Sequence, residues 1–156
     1  MITVAVVDDD RMLLDGLRSW LAGVARLRLL AAVTTVDALL DGPGRGADVV
    51  LLDLVLRDAS APEDNVRRLR AAGSRVLVIS TVADRARIVA AVAAGADGYL
   101  TKDHDLDSLV AAVETVAAGG TAHSPELAFA GRTTPARTGR GWRPGSGRSS
   151  WTTPPG

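Results

Sequence analysis

Residues 49–53 read Val49–Val50–Leu51–Leu52–Asp53, four consecutive aliphatic residues followed by a carboxylate. An unbroken aliphatic run of this length is typical of a strand that is buried on both faces, as in a parallel sheet covered by helices. Asp53 would then lie at the carboxyl end of its strand. Ligands bind outside those ends in open parallel sheets, so Asp53 is the first candidate for a functional residue.

Similar aliphatic runs occur at Ile2–Val7, Leu27–Val33, Val76–Ile79 and Gly98–Thr101. The segments between them carry apolar residues at helical spacing, and Gly119 stands where the last helix should end. Strands that alternate with helices in this way predict a (βα)₅ architecture of the α/β class. We therefore expect a doubly wound, parallel, five-stranded sheet with helices on both faces.

The composition limits the classes of protein to consider. The chain has 156 residues, of which 47% are hydrophobic and 3% aromatic, so its core must be mainly aliphatic. It has no cysteine, which excludes a disulfide framework and a thiolate metal site and fits the cytoplasm. Neither a signal peptide nor a membrane-spanning run is recognisable, so we predict a cytoplasmic protein without membrane contact.

The character of the sequence changes towards its end. All 18 acidic residues precede residue 127, whereas residues 127–156 contain five arginines among many glycines, prolines, serines and threonines. We predict a folded domain at 1–119, a linker at 120–130 and a disordered Gly/Arg/Pro-rich tail at 131–156. A few scattered arginines are only a weak sign of nucleic-acid binding.

Polar side chains follow four of the predicted strands. The first strand runs into Asp8–Asp9–Asp10, the third ends at Asp53, the fourth runs into Ser80, and Lys102 follows the fifth. Carboxylates that converge at one sheet edge repel each other unless a cation joins them, and Mg²⁺ is the hard cation that such oxygens suit. An aspartate beside Mg²⁺ and a lysine can act as a nucleophile towards phosphorus.

These residues, in this order and at these strand ends, resemble the receiver domain of bacterial two-component response regulators. The likeness extends from residue 1 to about residue 126 and implies a flavodoxin-like fold. It implies that Asp53 is the phosphoacceptor. It further implies that Mg²⁺ is held by Asp8, Asp9, Asp53 and the backbone carbonyl of Val55.

The same resemblance assigns roles to three further residues. Lys102 is expected to contact the phosphoryl group, Ser80 to supply the switch hydroxyl, and Tyr99 to be the aromatic residue whose rotamer follows the switch. The simpler interpretations are that Ser80 caps the helix after Thr81 and that Tyr99 is only a half-buried strand residue. Asp10 is expected to be the N-cap of the first helix rather than a ligand.

Residues 94–103, 117–120 and 124–127 are similar to the NarL/LuxR type of regulator. The resemblance implies a role in transcriptional regulation, phosphorylation by a sensor histidine kinase and a phosphorylation-dependent homodimer. DNA would be bound only through a C-terminal helix-turn-helix domain. No recognition-helix pattern follows residue 128, so we expect that domain to be missing or replaced, and the tail resembles out-of-frame translation.

The loop after Asp53 departs from the family pattern. The usual proline near Arg57 and the usual glycine near Ala61 are missing. The loop shapes the entrance to the phosphorylation site, so partner choice and the rate of dephosphorylation are the properties that this departure affects.

Other functions fit the sequence less well. A stand-alone receiver that acts through protein contacts or as a phosphate sink is the main alternative, and a receiver that is never phosphorylated conflicts with the complete set of acids and lysine. An aspartyl-phosphate hydrolase of the haloacid dehalogenase type would need a second aspartate two residues after the nucleophile, where this chain has Val55. We therefore predict a regulator and not an enzyme.

Overall fold

The computed structural model describes residues 1–81, 84–102 and 105–123. Strands and helices alternate along this part of the chain. The strands are β1 (Ile2–Val7), β2 (Leu27–Val33), β3 (Val49–Asp53), β4 (Arg75–Ser80), β5 (Gly98–Thr101) and β6 (Ala122–His123). The helices are α1 (Arg11–Leu21), α2 (Val36–Leu40), α3 (Pro62–Ala71), α4 (Arg85–Ala93) and α5 (Leu106–Ala117). The predicted α/β alternation is thus confirmed.

The strands form one parallel sheet with the order β2-β1-β3-β4-β5-β6. All strands point the same way, so their carboxyl ends meet at one edge. β2 lies on one side of β1, and β3 and the strands after it lie on the other side. The direction in which strands are added therefore reverses between β1 and β3, which is the switch point of the topology. Asp8 follows β1 and Asp53 ends β3, so both lie at that switch point.

Two apolar layers cover the sheet, which explains why its strands read as unbroken aliphatic runs. Residues of α2, α3 and α4 pack on one face, including Leu39, Leu69 and Ile88. Residues of α1 and α5 pack on the other, including Leu17 and Val113. Each such fully buried side chain stabilises the fold by roughly 1.5–3 kcal/mol relative to an exposed one.

Helix starts follow from local capping. The Asp10 carboxylate accepts hydrogen bonds from the backbone of Met12 and Leu13, so Asp10 is the N-cap of α1, as predicted. Helix α4 begins only at Arg85, and its N-cap is Asp84, whose carboxylate accepts from the backbone of Arg87. The alternative that Ser80 caps this helix is therefore wrong.

The sequence pattern does not predict β6. Gly98 and Tyr99 of β5 pair with Ala122 and His123, at the start of the segment expected to be a linker. The close approach of β6 to β5 depends on Gly98, because a Cβ atom at that position would lie 2.3 Å from the carbonyl oxygen of Ala122. The first residues of the expected linker thus extend the predicted five-stranded sheet by one short strand.

The predicted tail at 131–156 and the rest of the linker, from residue 124, lie outside the described residues. Within the described part, no helix combines the length and the apolar character that crossing a membrane requires.

Candidate functional site

Three carboxylates meet at the switch point of the sheet. One oxygen each from Asp8, Asp9 and Asp53 can be chosen so that all three lie within 4.8 Å of one another. Asp8 is completely buried and Asp53 is 6% exposed, whereas Asp9 is half-buried. The structure therefore brings together the three acidic residues that the sequence singled out.

Hydrogen bonds from backbone N–H groups orient these carboxylates. Asp8 Oδ1 accepts from the backbone N–H of Asp10 at 2.9 Å, and Asp53 Oδ1 accepts from the backbone N–H of Val55 at 3.4 Å. Asp9 Oδ2 accepts from the backbone N–H of Arg57 at 2.6 Å. The loop after β3 thus contacts two of the three acids, and Val55 lies directly beside the site.

Lys102 places a cation against the two buried acids. Its Nζ lies 2.6 Å from Asp8 Oδ2 and 3.4 Å from Asp53 Oδ2. Its backbone N–H donates to the carbonyl oxygen of Ser80 at 2.9 Å, which ties the end of β5 to that of β4. Burial lowers the pKa of Lys102, but the contacts with Asp8 and Asp53 outweigh it and hold the pKa above its ordinary value.

The acidity of Asp53 differs from that of an ordinary carboxyl group. Burial and the neighbouring charge of Asp8 raise its pKa from 3.8 to about 6, although Lys102 and the Val55 N–H act in the opposite direction. Above pH 6 the group is therefore mostly ionised, but its charge is poorly solvated. An ionised, poorly solvated carboxylate is a reactive acceptor for an electrophile.

The donor set suits a divalent cation. Three carboxylates and one ammonium group leave an excess of two negative charges in a largely buried site. Oxygen ligands with this charge fit Mg²⁺, which needs only one or two carboxylates and retains several waters. The chemistry of Asp8, Asp9 and Asp53 therefore agrees with the expected metal.

Ser80 and Tyr99 lie on β4 and β5, the two strands that follow β3 in the sheet. Ser80 is the last residue of β4 and is buried, and it pairs in register with Thr101, the residue before Lys102. Tyr99 is completely buried in the layer formed with α2, α3 and α4. The interpretation of Tyr99 as a half-buried residue is therefore wrong; its ring points into the core.

The loop between β3 and α3 contains contacts that the sequence did not lead us to expect. Asp58 Oδ1 accepts from the backbone N–H and the hydroxyl of Ser60, which hold the pKa of Asp58 below its ordinary value. Asn65, which is buried, donates to the hydroxyl oxygen of Ser60. The spacing of Asp58 and Ser60 is that of an Asx-turn and could have indicated this local bond.

Arg57 and Ala59 explain how the loop differs from the family pattern. Arg57 can donate its N–H to Asp9, which a proline at this position could not do. Ala59 has a φ of 61°, a left-handed conformation that a residue with a Cβ atom rarely adopts. The contact between Arg57 and Asp9 spans 48 residues, so no local sequence pattern predicts it.

Several solved structures of response regulators share this architecture. A LuxR-family regulator from Aurantimonas superposes with a TM-score of 0.73 and 26% identity, covering 86% of this chain and 98% of that one. The response regulator ChrA of a heme-sensing two-component system gives a TM-score of 0.69 and 30% identity over 90% of this chain and 68% of that one. The isolated RcsB receiver from Salmonella enterica shares the fold, with a TM-score of 0.70 at 16% identity over 83% of this chain and 97% of that one.

Several curated relatives are transcriptional regulatory proteins. UhpA of Salmonella typhimurium is 35% identical over 86% of this chain and 70% of its own length. LnrK of Bacillus subtilis is 33% identical over 81% of this chain, and the match spans only 59% of LnrK. Residues 4–114 match the family described as the response regulator receiver domain. The chain therefore belongs to the receiver-domain family of two-component response regulators and is related to its NarL/LuxR-type members.

Proposed function

We propose that Asp53 accepts a phosphoryl group from a sensor histidine kinase and that this modification switches the domain between two states. The observation that carries the proposal is the position of Lys102 Nζ, within 3.4 Å of carboxylate oxygens of both Asp8 and Asp53. Nucleophile, cation and acidic neighbours thus share one buried site.

Phosphoryl transfer to Asp53 proceeds by displacement at phosphorus. A carboxylate oxygen of Asp53 forms the new P–O bond while the P–N bond of the phosphohistidine breaks. The imidazole keeps the bonding electrons and takes up a proton from solvent. Mg²⁺, held by Asp8, Asp9, Asp53 and the backbone carbonyl of Val55, would neutralise charge on the transferring group.

Lys102 and Ser80 stabilise the product. The Lys102 ammonium already contacts Asp53 Oδ2, so it needs only a small shift to contact a phosphoryl oxygen on that carboxylate. Ser80 ends the neighbouring strand β4, and its hydroxyl is the hydrogen-bond donor that we assign to the phosphoryl group. Tyr99, buried on the neighbouring strand β5, is the residue whose rotamer would follow Ser80.

The biological setting that we propose is transcriptional control in the cytoplasm. Its support is that the curated relatives are transcriptional regulatory proteins. A solved structure of RcsB, 18% identical, contains two dimers bound to DNA. We propose that this chain likewise forms a phosphorylation-dependent homodimer and that DNA is reached only through an effector domain.

Intact-mass measurement tests the phosphoacceptor. The protein is incubated with acetyl phosphate and MgCl₂, and we expect a mass increase of one phosphoryl group. Asp53→Asn should abolish the increase, whereas the matched control Asp58→Asn, in the same loop, should retain it. The absence of any increase, or an increase that survives Asp53→Asn, would refute the proposal.

A further inference from the structure

Arg57 is a second cationic residue at the acidic site, and the resemblance assigned it no role. Its Nε lies 4.0 Å from Asp9 Oδ2, the oxygen that already accepts the Arg57 backbone N–H at 2.6 Å. The Arg57 side chain is 85% exposed, whereas that of Asp9 is 18% exposed. The guanidinium therefore lies in solvent at the mouth of a site whose acids are mostly buried.

The loop holds Arg57 in this position. Leu56, the preceding residue, is buried in the core layer with α2, α3 and α4. On the other side, Ala59 donates its backbone N–H to the carbonyl oxygen of Leu56, and Ser60 is fixed by Asp58 and Asn65. With its backbone N–H bonded to Asp9, the Arg57 side chain starts beside the acidic site in every rotamer.

The two cations at the site differ in what they can do. Lys102 is largely buried and contacts Asp8 and Asp53, so its positive charge offsets the free-energy cost of burying these two carboxylates. Arg57 is exposed, and an exposed ion pair adds little to stability. Its charge nevertheless acts on Asp9 and on any cation that Asp9 binds, because both lie within a Debye length.

We propose that the side-chain charge of Arg57 lowers the affinity of the acidic site for divalent cations, because it lies beside Asp9 and opposes the incoming charge. This inference rests on the proposed function, in which Asp8, Asp9 and Asp53 bind Mg²⁺. A weaker site would exchange its cation readily, so occupancy would follow the free cation concentration.

Calorimetric titration with MgCl₂, without any phosphodonor, tests this role. We expect Arg57→Ala to bind Mg²⁺ about threefold to tenfold more tightly at low ionic strength, from the Coulomb interaction of charges several ångströms apart in a solvent-like medium. Added salt should shrink the difference. Arg57→Lys, which keeps the charge, should stay close to wild type. Arg67→Ala, which removes an exposed arginine of α3 that pairs with Asp64, should leave the affinity unchanged.

The outcomes separate the two proposals. Equal or weaker binding by Arg57→Ala would overturn the role of Arg57 while leaving the metal site intact. An equal gain in Arg67→Ala would also overturn it, because net charge alone would then explain the effect. If wild-type protein binds no Mg²⁺, the proposed metal site and this inference both fail. The melting temperature of metal-free Arg57→Ala should match wild type, which excludes a general loss of structure.

Discussion

The burial of Asp53 beside Asp8 has an energetic cost in the metal-free protein. The folded state holds the Asp53 pKa at about 6, above the ordinary 3.8, so the folded state binds more protons than the unfolded state between these values. The contribution of Asp53 to stability is therefore greatest below pH 4 and is lost as the pH rises through 6. Above pH 7 the full cost, roughly 3 kcal/mol for such a difference in pKa, is present.

We accordingly expect Asp53→Asn to stabilise the metal-free protein at pH 8. The gain should be about 1–3 kcal/mol, since the contact with Lys102 is weakened at the same time. It should shrink towards pH 5, where wild-type Asp53 is mostly protonated. Urea unfolding in the presence of a chelator, at pH 8 and at pH 5, measures the gain in the free energy of unfolding at each pH. Asp58→Asn is the control and should give no gain, because Asp58 is exposed and its pKa is lowered; a gain confined to low pH would contradict the argument.

The sequence identified the acidic residues and Lys102 because each follows an aliphatic run at a strand end. The contact between Arg57 and Asp9 could not be predicted from the sequence. It joins residues 48 positions apart and depends on the shape of a loop without a repeating pattern. The inward position of Tyr99 was also missed. A four-residue strand offers no periodicity from which the burial of one aromatic ring can be calculated.

At the scale of elements, the pairing of β6 with β5 requires that residue 98 have no side chain. The Ala122 N–H donates to the Asp97 carbonyl oxygen at 3.2 Å, and Gly98 allows the two strands to approach. A Cβ at Gly98 would also lie 3.0 Å from Leu77 Cδ1 in β4. The five longer strands were predictable from their aliphatic runs, whereas a two-residue strand carries no such signal.

Substitution Gly98→Ala should therefore detach β6. We expect faster hydrogen exchange at the Ala122 amide and a loss of about 1–3 kcal/mol in the free energy of unfolding, as is usual for overpacking. Gly16→Ala is a matched control, because a Cβ there meets nothing within 4 Å and alanine favours a helix. Unchanged exchange at Ala122 in Gly98→Ala would show that the strand tolerates the added methyl group.

For the whole molecule, the proposed metal site links folding to the cation concentration. A ligand that binds only the folded state adds about 2.7 kcal/mol of stability at 100 times its dissociation constant. We expect the melting temperature to rise with MgCl₂ and the rise to be lost in Asp9→Asn. Differential scanning calorimetry over a MgCl₂ series gives the dependence. A melting temperature that stays constant up to concentrations that saturate the site would contradict it.

The doubly wound parallel sheet was predictable at this scale, because strands that alternate with helices are joined by right-handed crossovers. The edge strand β6 was not predictable, because its residues lie in a segment with the composition of a linker. The same limit applies to the loop after Asp53, whose shape follows from a few specific hydrogen bonds rather than from a repeating pattern.

The short strand β6 also bears on solubility. Exposed strand edges can recruit strands from other molecules and start aggregation. β6 occupies the edge of β5 at Gly98 and Tyr99, and the opposite edge strand β2 carries the exposed charge of Arg28. The two residues of β6, which follow α5, thus cover one edge of the sheet. A fragment that ends at Gly119 would expose the edge of β5 and would be prone to aggregate, although it retains every residue of the site.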